Sequence, residues 1–325
     1  MKETIEKKMY NKQQKERYLL FREKKSTDVI PLIKSIFKKI GGIEKIYEKD
    51  VGDFNREQIE DLLYYLGLGT VSSIAFVYYC LTDYVDWCIS EGLIKDGMNH
   101  LRDIEYNSLG NYINKNIASS KLLTREDVLN QLLVLNNPRD KLFLLSAFEF
   151  GVGAGYEDFL DMEMGDVEKE NHILHLKTRN VIVSNEWISV AEEASETYEI
   201  VTNVHDFNHP LVRKIKLEHT NKLFKNTVLT SLNSDDKMFV QKRMFRIFNS
   251  IKKTLGLSSN IKVQSIINSG RIHYINVKAK ELNVSGSYFV KSRRKEIENQ
   301  FSILCNPVIF LREYGNYLVW GSHIE

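Results

Sequence analysis

Cysteine and proline are scarce in this chain, and it has no long apolar run without breakers; each shortage removes a class of protein. The three cysteines among 325 residues (Cys80, Cys88 and Cys305) are odd in number and lack CxxC spacing. That excludes a disulfide framework and a cysteine-rich zinc site, and fits a reducing cytoplasm. With four prolines the chain can run in long helices, since proline is the residue that breaks them. The first residues, MKETIEKKMYNKQQKER, are charged throughout and carry no secretory signal. Leu62 to Leu81 is uncharged and long enough to span a membrane, but its middle reads Gly-Leu-Gly-Thr-Val-Ser-Ser. Two glycines and three hydroxyls there predict one helix ending near Gly67 and another starting at Ser72 or Ser73, so no membrane partner is expected.

Motifs for small-molecule chemistry are also missing. Gly151, Gly153 and Gly155 are followed by no GK[ST], and there is no Gly-x-Ser-x-Gly. His205, Asp206 and His209 fall beside Asn208 and Pro210 in an expected loop, while His172 and His175 lie three apart on an expected strand and so face opposite ways. Neither a metal nor a cofactor is expected.

What the chain does have is one-signed charge on a structured stretch. Met238 to Lys295 holds thirteen Lys or Arg and one acid, Glu281, a net +12 in a chain of net +2, so the remainder sums to about −10. Val240, Met244, Ile247, Phe248, Ile251 and Leu255 recur at helical steps, with Ser234 and Asp235 offered as N-cap and Gly256 as stop. Lys242, Arg243, Arg246 and Lys253 fall off the apolar stripe, and Lys252, Arg271, Lys278, Lys280, Lys291, Arg293, Arg294 and Lys295 add to the same charge. A folded surface of that density suits a polyanion, with nucleic acid first among them.

In chain order, residues 1–25, with nine Lys or Arg against four Glu, predict a charged helix or arm. Helices are expected from STDVIPLIKSIFKKIGG, with Ile30, Ile33, Ile36 and Phe37 inward, then over Asn55–Leu66 and Ser73–Ile89. Asn116 to Lys121 reads as a linker, and Thr124 caps the next helix. Tyr156–Asp166 reads as an acidic helix. Ile173–Leu176 and Val181–Ser184 read as a hairpin around Lys177-Thr-Arg-Asn180, and further helices are expected at Trp187–Ala194 and through Val212–Lys225. The fold class is therefore mainly α with a small β-sheet, divided as 1–25, 26–118 and 119–325.

This order, with Tyr314 near the C-terminus, resembles the tyrosine recombinase (phage integrase) family. Residues 26–115, above all LLYYLGLGTVSSIAFVYYCLTDYVDWCISEGLI, are similar to its SAM-like helical core-binding domain, and residues 119–325 resemble its catalytic-type domain. VGAGYEDFLDMEMGDV is similar to the first catalytic box, with Asp158 and Asp166 on its acids; Lys177 matches the family lysine, and ILCNPVIFLREY places Tyr314 on the nucleophile. The departures are at the phosphate-holding arginines. The first falls on Gly155, and the second box, His-x-x-Arg, falls on Gln264 to Ile267. A register one helical turn later gives Asn268-Ser-Gly-Arg271 and keeps one arginine; both registers stand at this point. The family's later His or Trp falls on Cys305.

Arginine suits the task because its planar fork pairs bidentately with phosphate and stays charged. Each lost oxyanion donor costs about 10²–10³ in rate. The resemblance therefore implies a degenerate, non-cleaving fold: a sequence-specific DNA-binding repressor that maintains prophage lysogeny in the cytoplasm of a bacterial host, at its nucleoid. Its two domains would clamp operator duplex from opposite sides, with Thr70, Ser72, Ser73, Lys177 and Arg179 joining the basic stretch. The alternatives are an active site-specific recombinase with divergent residues, and an interaction module without DNA function. Self-association through the C-terminal segment and a regulatory protein or peptide partner stay open.

Overall fold

The computed structural model describes residues 9–24, 27–94, 96–114, 119–159, 161–205, 210–227 and 237–319. Among the described residues the chain is mainly helical with two small antiparallel sheets. It divides into two compact units, Met1–Ser119 and Ser120–Glu325, each around its own apolar core.

The first unit is all helical: α1 (Lys12–Glu23), α2 (Ile30–Tyr47), α3 (Arg56–Tyr65) and α4 (Val71–Ser90), followed by short helical turns. α2 buries Ile33, Ile36, Phe37 and Ile40, whereas Ile30 in its first turn is only half-buried; Ser26 lies outside the described residues. Asn55 and Gln58 cap α3 reciprocally. Thr70 caps α4, so the helix starts at Val71, ahead of the expected serines. The charged N-terminal segment turns one side inward through Lys15, Tyr18 and Leu19. Lys15, 0% exposed, lies between Glu44 at 2.5 Å and Asp50 at 3.1 Å. No helix among the described residues is long and apolar enough to cross a membrane.

The second unit opens with α5 (Arg125–Val134), capped by Thr124 and Asp127, and α6 (Pro138–Glu149). The acidic helix expected over Tyr156–Asp166 does not form. Short turns run there instead, with Gly155 and Tyr156 both left-handed (φ 66° and 68°), because three glycines just upstream let the chain coil back on itself. β1 (Val167–Glu168), β2 (Ile173–His175) and β3 (Asn180–Ile182) make a three-stranded sheet around the hairpin that carries Lys177. α7 (Asn185–Glu196) follows, capped by Ser184.

The helix expected through Val212–Lys225 is also corrected. β4 (Glu199–His205) and β5 (Pro210–Lys216) form a second hairpin, and both runs contain β-branched residues, which favour strands. Asp206 and His209 lie outside the described residues, as do Ser234 and Asp235. The basic stretch is then built of α8 (Lys237–Thr254), α9 (Val263–Glu281), α10 (Gly286–Ser292) and α11 (Arg294–Phe301), with α12 (Pro307–Tyr314) last. Gly256, left-handed at φ 61°, ends the α8 segment as expected.

Candidate nucleic-acid interface

α9 is the centre of the site. Asn268 and Arg271, three residues apart, share one helical face. Ser269 between them anchors the helix: its hydroxyl donates to the Ser265 carbonyl (2.8 Å) and accepts from the Leu123 N–H (2.9 Å). α12 brings the tyrosine. Asn306 caps it by accepting from the N–H groups of Val308 and Ile309, and Tyr314 is its last residue. The C-terminal segment is held in cis, because Asn276 donates to the Tyr317 carbonyl and accepts from the Val319 N–H.

The Asn268 amide donates to the Tyr314 hydroxyl at 2.7 Å, and Arg271 lies 3.5 Å from the Asn268 side-chain oxygen. The later register therefore puts its residues beside the tyrosine. In the other register, Gln264 donates to Asn268 rather than to the tyrosine, and Ile267 is core. Arg271 is 6% exposed, with its guanidinium 4.5 Å above the Phe310 ring and its Nε unpartnered among the described residues. Burial pulls its pKa down, and the contact with the buried Cys305 pushes the other way. Arg271 is thus an interior cation beside the tyrosine, set apart by its burial from the exposed cations of the basic stretch. Burial raises the Tyr314 pKa, as does Glu313, against the Arg271 charge and the Asn268 bond.

The other expected arginine has no replacement at its own position. Gly155 sits in left-handed backbone, where an arginine side chain would be strained. Arg179 is spent inside the domain, 9% exposed, paired with Asp158 at 2.8 Å and donating to the Phe150 carbonyl at 3.1 Å. Its guanidinium is therefore occupied within the domain rather than offered at the surface. Lys177 is exposed in its hairpin turn and paired with Asp161, which also takes Lys222 at 2.8 Å, and both lysines lower the Asp161 pKa.

The basic residues divide by burial. Lys242, Arg246, Lys253, Lys280, Lys291, Arg293 and Lys295 are exposed, with no acidic partner among the described residues. Arg294 is paired with Glu298 and Lys278 with Glu281. Lys252 donates to the Ser259 carbonyl. Arg243 is half-buried, donates to the Phe224 carbonyl, and is pushed down to about 10 by burial. In the first unit, Thr70 is used as the α4 cap, bonded to Ser73, and Ser72 and Ser73 are exposed in that helix's first turn. Among the described residues, no group of His, Cys, Asp and Glu could hold a metal ion.

Comparison with known proteins agrees with this layout. The description "MrpR, N-terminal core-binding domain" matches residues 9–90, and "MrpR, C-terminal catalytic domain" matches residues 122–316. The chain belongs to the MrpR family. As an MrpR-type, tyrosine recombinase-like chain it pairs a core-binding domain with a catalytic-type domain. It is 28% identical over 196 residues to the SPbeta prophage-derived uncharacterized protein YopR of Bacillus subtilis (strain 168), covering 58% of each chain. The MrpR chain thus spans less than two thirds of that relative's length. It is also similar to the XerA recombinase crystal structure, at 10% identity and a TM-score of 0.38, covering 93% of this chain and 92% of that one.

Sequence reasoning left the register of the second box open, and no signal in it assigned the amide of Asn268 to Tyr314. It also missed Arg125 and His273, which the fold brings to one cavity.

Proposed function

We propose that this MrpR-family chain is a sequence-specific DNA-binding repressor of a prophage that has kept the recombinase fold and given up strand cleavage. The observation that carries the reading is the partner of Tyr314. The tyrosine meets a carboxamide, which cannot exchange a proton near neutral pH, where cleavage calls for a general acid or base. Arg271 supplies one guanidinium, and the other arginine position is Gly155. Exposed cations on α8, α10 and α11 that have no acidic partner among the described residues supply the attraction for phosphates. The SPbeta prophage origin of YopR supports the prophage setting, in which the chain would bind operator sites in the bacterial cytoplasm.

The position of Arg271 favours a second reading, an active recombinase with a reduced phosphate clamp. One experiment separates the two: genome-wide mapping of DNA bound by the full chain, paired with a nicked suicide duplex built on the sites recovered. A defined set of sites with no covalent adduct is the expected result. An adduct lost in Tyr314→Phe would establish the recombinase instead. Binding that is absent, or equal for every sequence at physiological salt, would leave an interaction module.

A further inference from the structure

The second unit contains a cavity of about 260 Å³ that neither Asn268, Arg271 nor Tyr314 lines. Its origin lies in the crossing of α9 and α6. At Gly270 the two backbones meet so closely that a β-carbon would overlap the Phe148 carbonyl. Farther along α9, side chains return at His273, Tyr274 and Val277, and the space they leave is walled by Phe148, Ile182 and Val183.

The buried acceptors of this wall, on Glu149 and Gln300, are in use, and the wall has donors to spare. Glu149 accepts from the Ser184 N–H (2.8 Å), the Ser184 hydroxyl (2.5 Å) and Arg125 (3.2 Å). Gln300 is fully engaged with the Ile182 N–H and carbonyl and with the Glu149 carbonyl. Glu281 takes Lys278. By contrast, Arg125 directs two of its five N–H groups at Glu149 and Glu186. The ring nitrogens of His273 have no partner among the described residues, although its ring packs 5.6 Å from that of Phe148. Burial and the Arg125 charge lower the His273 pKa, so at neutral pH its imidazole offers one N–H. A cavity with apolar walls and unused donors at one end calls for a small ligand with a flat or branched apolar body and one anionic acceptor.

We propose that this cavity binds a small monocarboxylate bearing a single ring or branched chain, with its body against Phe148, Val183 and Val277 and its carboxylate toward Arg125 and His273. The site stands apart from the DNA reading and is tested without DNA.

The probe is benzoate, titrated into the full chain and followed by NMR of the His273 imidazole, with benzyl alcohol as the uncharged control. Benzoate is expected to shift the His273 resonances saturably and raise its pKa, because a carboxylate beside the ring favours imidazolium. Benzyl alcohol should bind about tenfold more weakly or worse, lacking the charge-assisted bonds. Val277→Trp, which fills the space from an exposed helix position, should abolish the response. If that variant does not fold, contacts between benzoate ring protons and the Val183 and Val277 methyls in the unaltered chain decide the matter. No His273 shift up to the solubility limit of benzoate, contacts elsewhere, or equal binding of the two probes would overturn the assignment.

Discussion

Asn268 donates to the Tyr314 hydroxyl across 2.7 Å, so the oxygen that would attack a phosphodiester is already engaged by an amide. Burial holds the phenol protonated, and the nearby Arg271 charge does not reverse that. A tyrosine nucleophile must lose its proton to a partner able to take it, and a carboxamide cannot. If the second box is read in its later register, this contact is where the expected histidine gives way to asparagine.

Arg271 gives the first prediction. A guanidinium buried with one N–H unpartnered among the described residues is an unfavourable choice for stability alone. Arg271→Met, of similar length, is expected to keep or raise Tm in thermal denaturation. The same variant should lose affinity for a recovered duplex in fluorescence anisotropy, by roughly 1.5–3 kcal/mol for lost bonds to a charged group. A fall in Tm with affinity intact would make Arg271 a structural residue.

Gly270 gives the second. Its hydrogen faces the Phe148 carbonyl, and a methyl group there would have to push apart two buried helices backbone from backbone. Gly270→Ala should cost about 3 kcal/mol, at the upper end for overpacking, as read from urea denaturation. Gly165→Ala is the control: a β-carbon there meets nothing within 4 Å, and stability should hold.

The buried cluster of the first unit gives the third. Burial and the neighbouring Asp50 push Glu44 up to about 7, against the pull of Lys15, and its Oε2 has no hydrogen-bond partner among the described residues. The folded state therefore binds this proton more tightly than the unfolded chain, whose value is near 4.5. The stabilisation is complete below about 4.5, declines as pH rises through about 7, and is flat above. Glu44→Gln, which mimics the protonated form, should fold stably and lose that dependence. Lys15→Met leaves Asp50 without its buried cation and should cost about 3–5 kcal/mol. Denaturant curves between pH 4 and 8 measure both; an unchanged pH dependence in Glu44→Gln would rule out the assignment.

Much of this architecture could be read from the residues, and the losses have identifiable causes. Helices that open on a reciprocal cap, such as α3 with Asn55 and α5 with Thr124, carry their own N-terminal boundaries. The 156–166 segment misled because acidic residues at helical spacing say nothing of the left-handed backbone that Gly155 permits. The β4–β5 hairpin was hidden because its second run, with Leu211 and Val212 adjacent and then Arg213 and Lys214 adjacent, lacks the two-residue alternation that marks a half-buried strand. At the site, spacing could give two registers for the second box, and only tertiary packing puts Asn268 beside Tyr314. The cavity at Arg125 and His273 joins residues nearly 150 positions apart, a distance no local pattern spans.

The exposed cations give the last prediction. Arg246 on α8 and Arg293 at the start of α11 are exposed and have no acid to satisfy them among the described residues, so a duplex phosphate can be bound without breaking an existing ion pair. Each phosphate neutralised releases condensed counterions, and the log–log salt slope falls by about 0.9 per contact in B-DNA. Arg246→Ala and Arg293→Ala should each flatten the slope by about that amount, and the double variant by about twice it, with Tm unchanged. Lys177→Ala should flatten it less, because Lys177 must first give up Asp161. Arg243→Ala differs in kind: its guanidinium is half-buried against the Phe224 carbonyl, so Tm should fall together with affinity. Anisotropy titrations from 50 to 300 mM KCl on one recovered duplex read the slopes of all five variants, and thermal denaturation reads Tm. Unaltered slopes in Arg246→Ala and Arg293→Ala would mean that these helices do not meet the phosphate backbone, whatever the charge of the stretch.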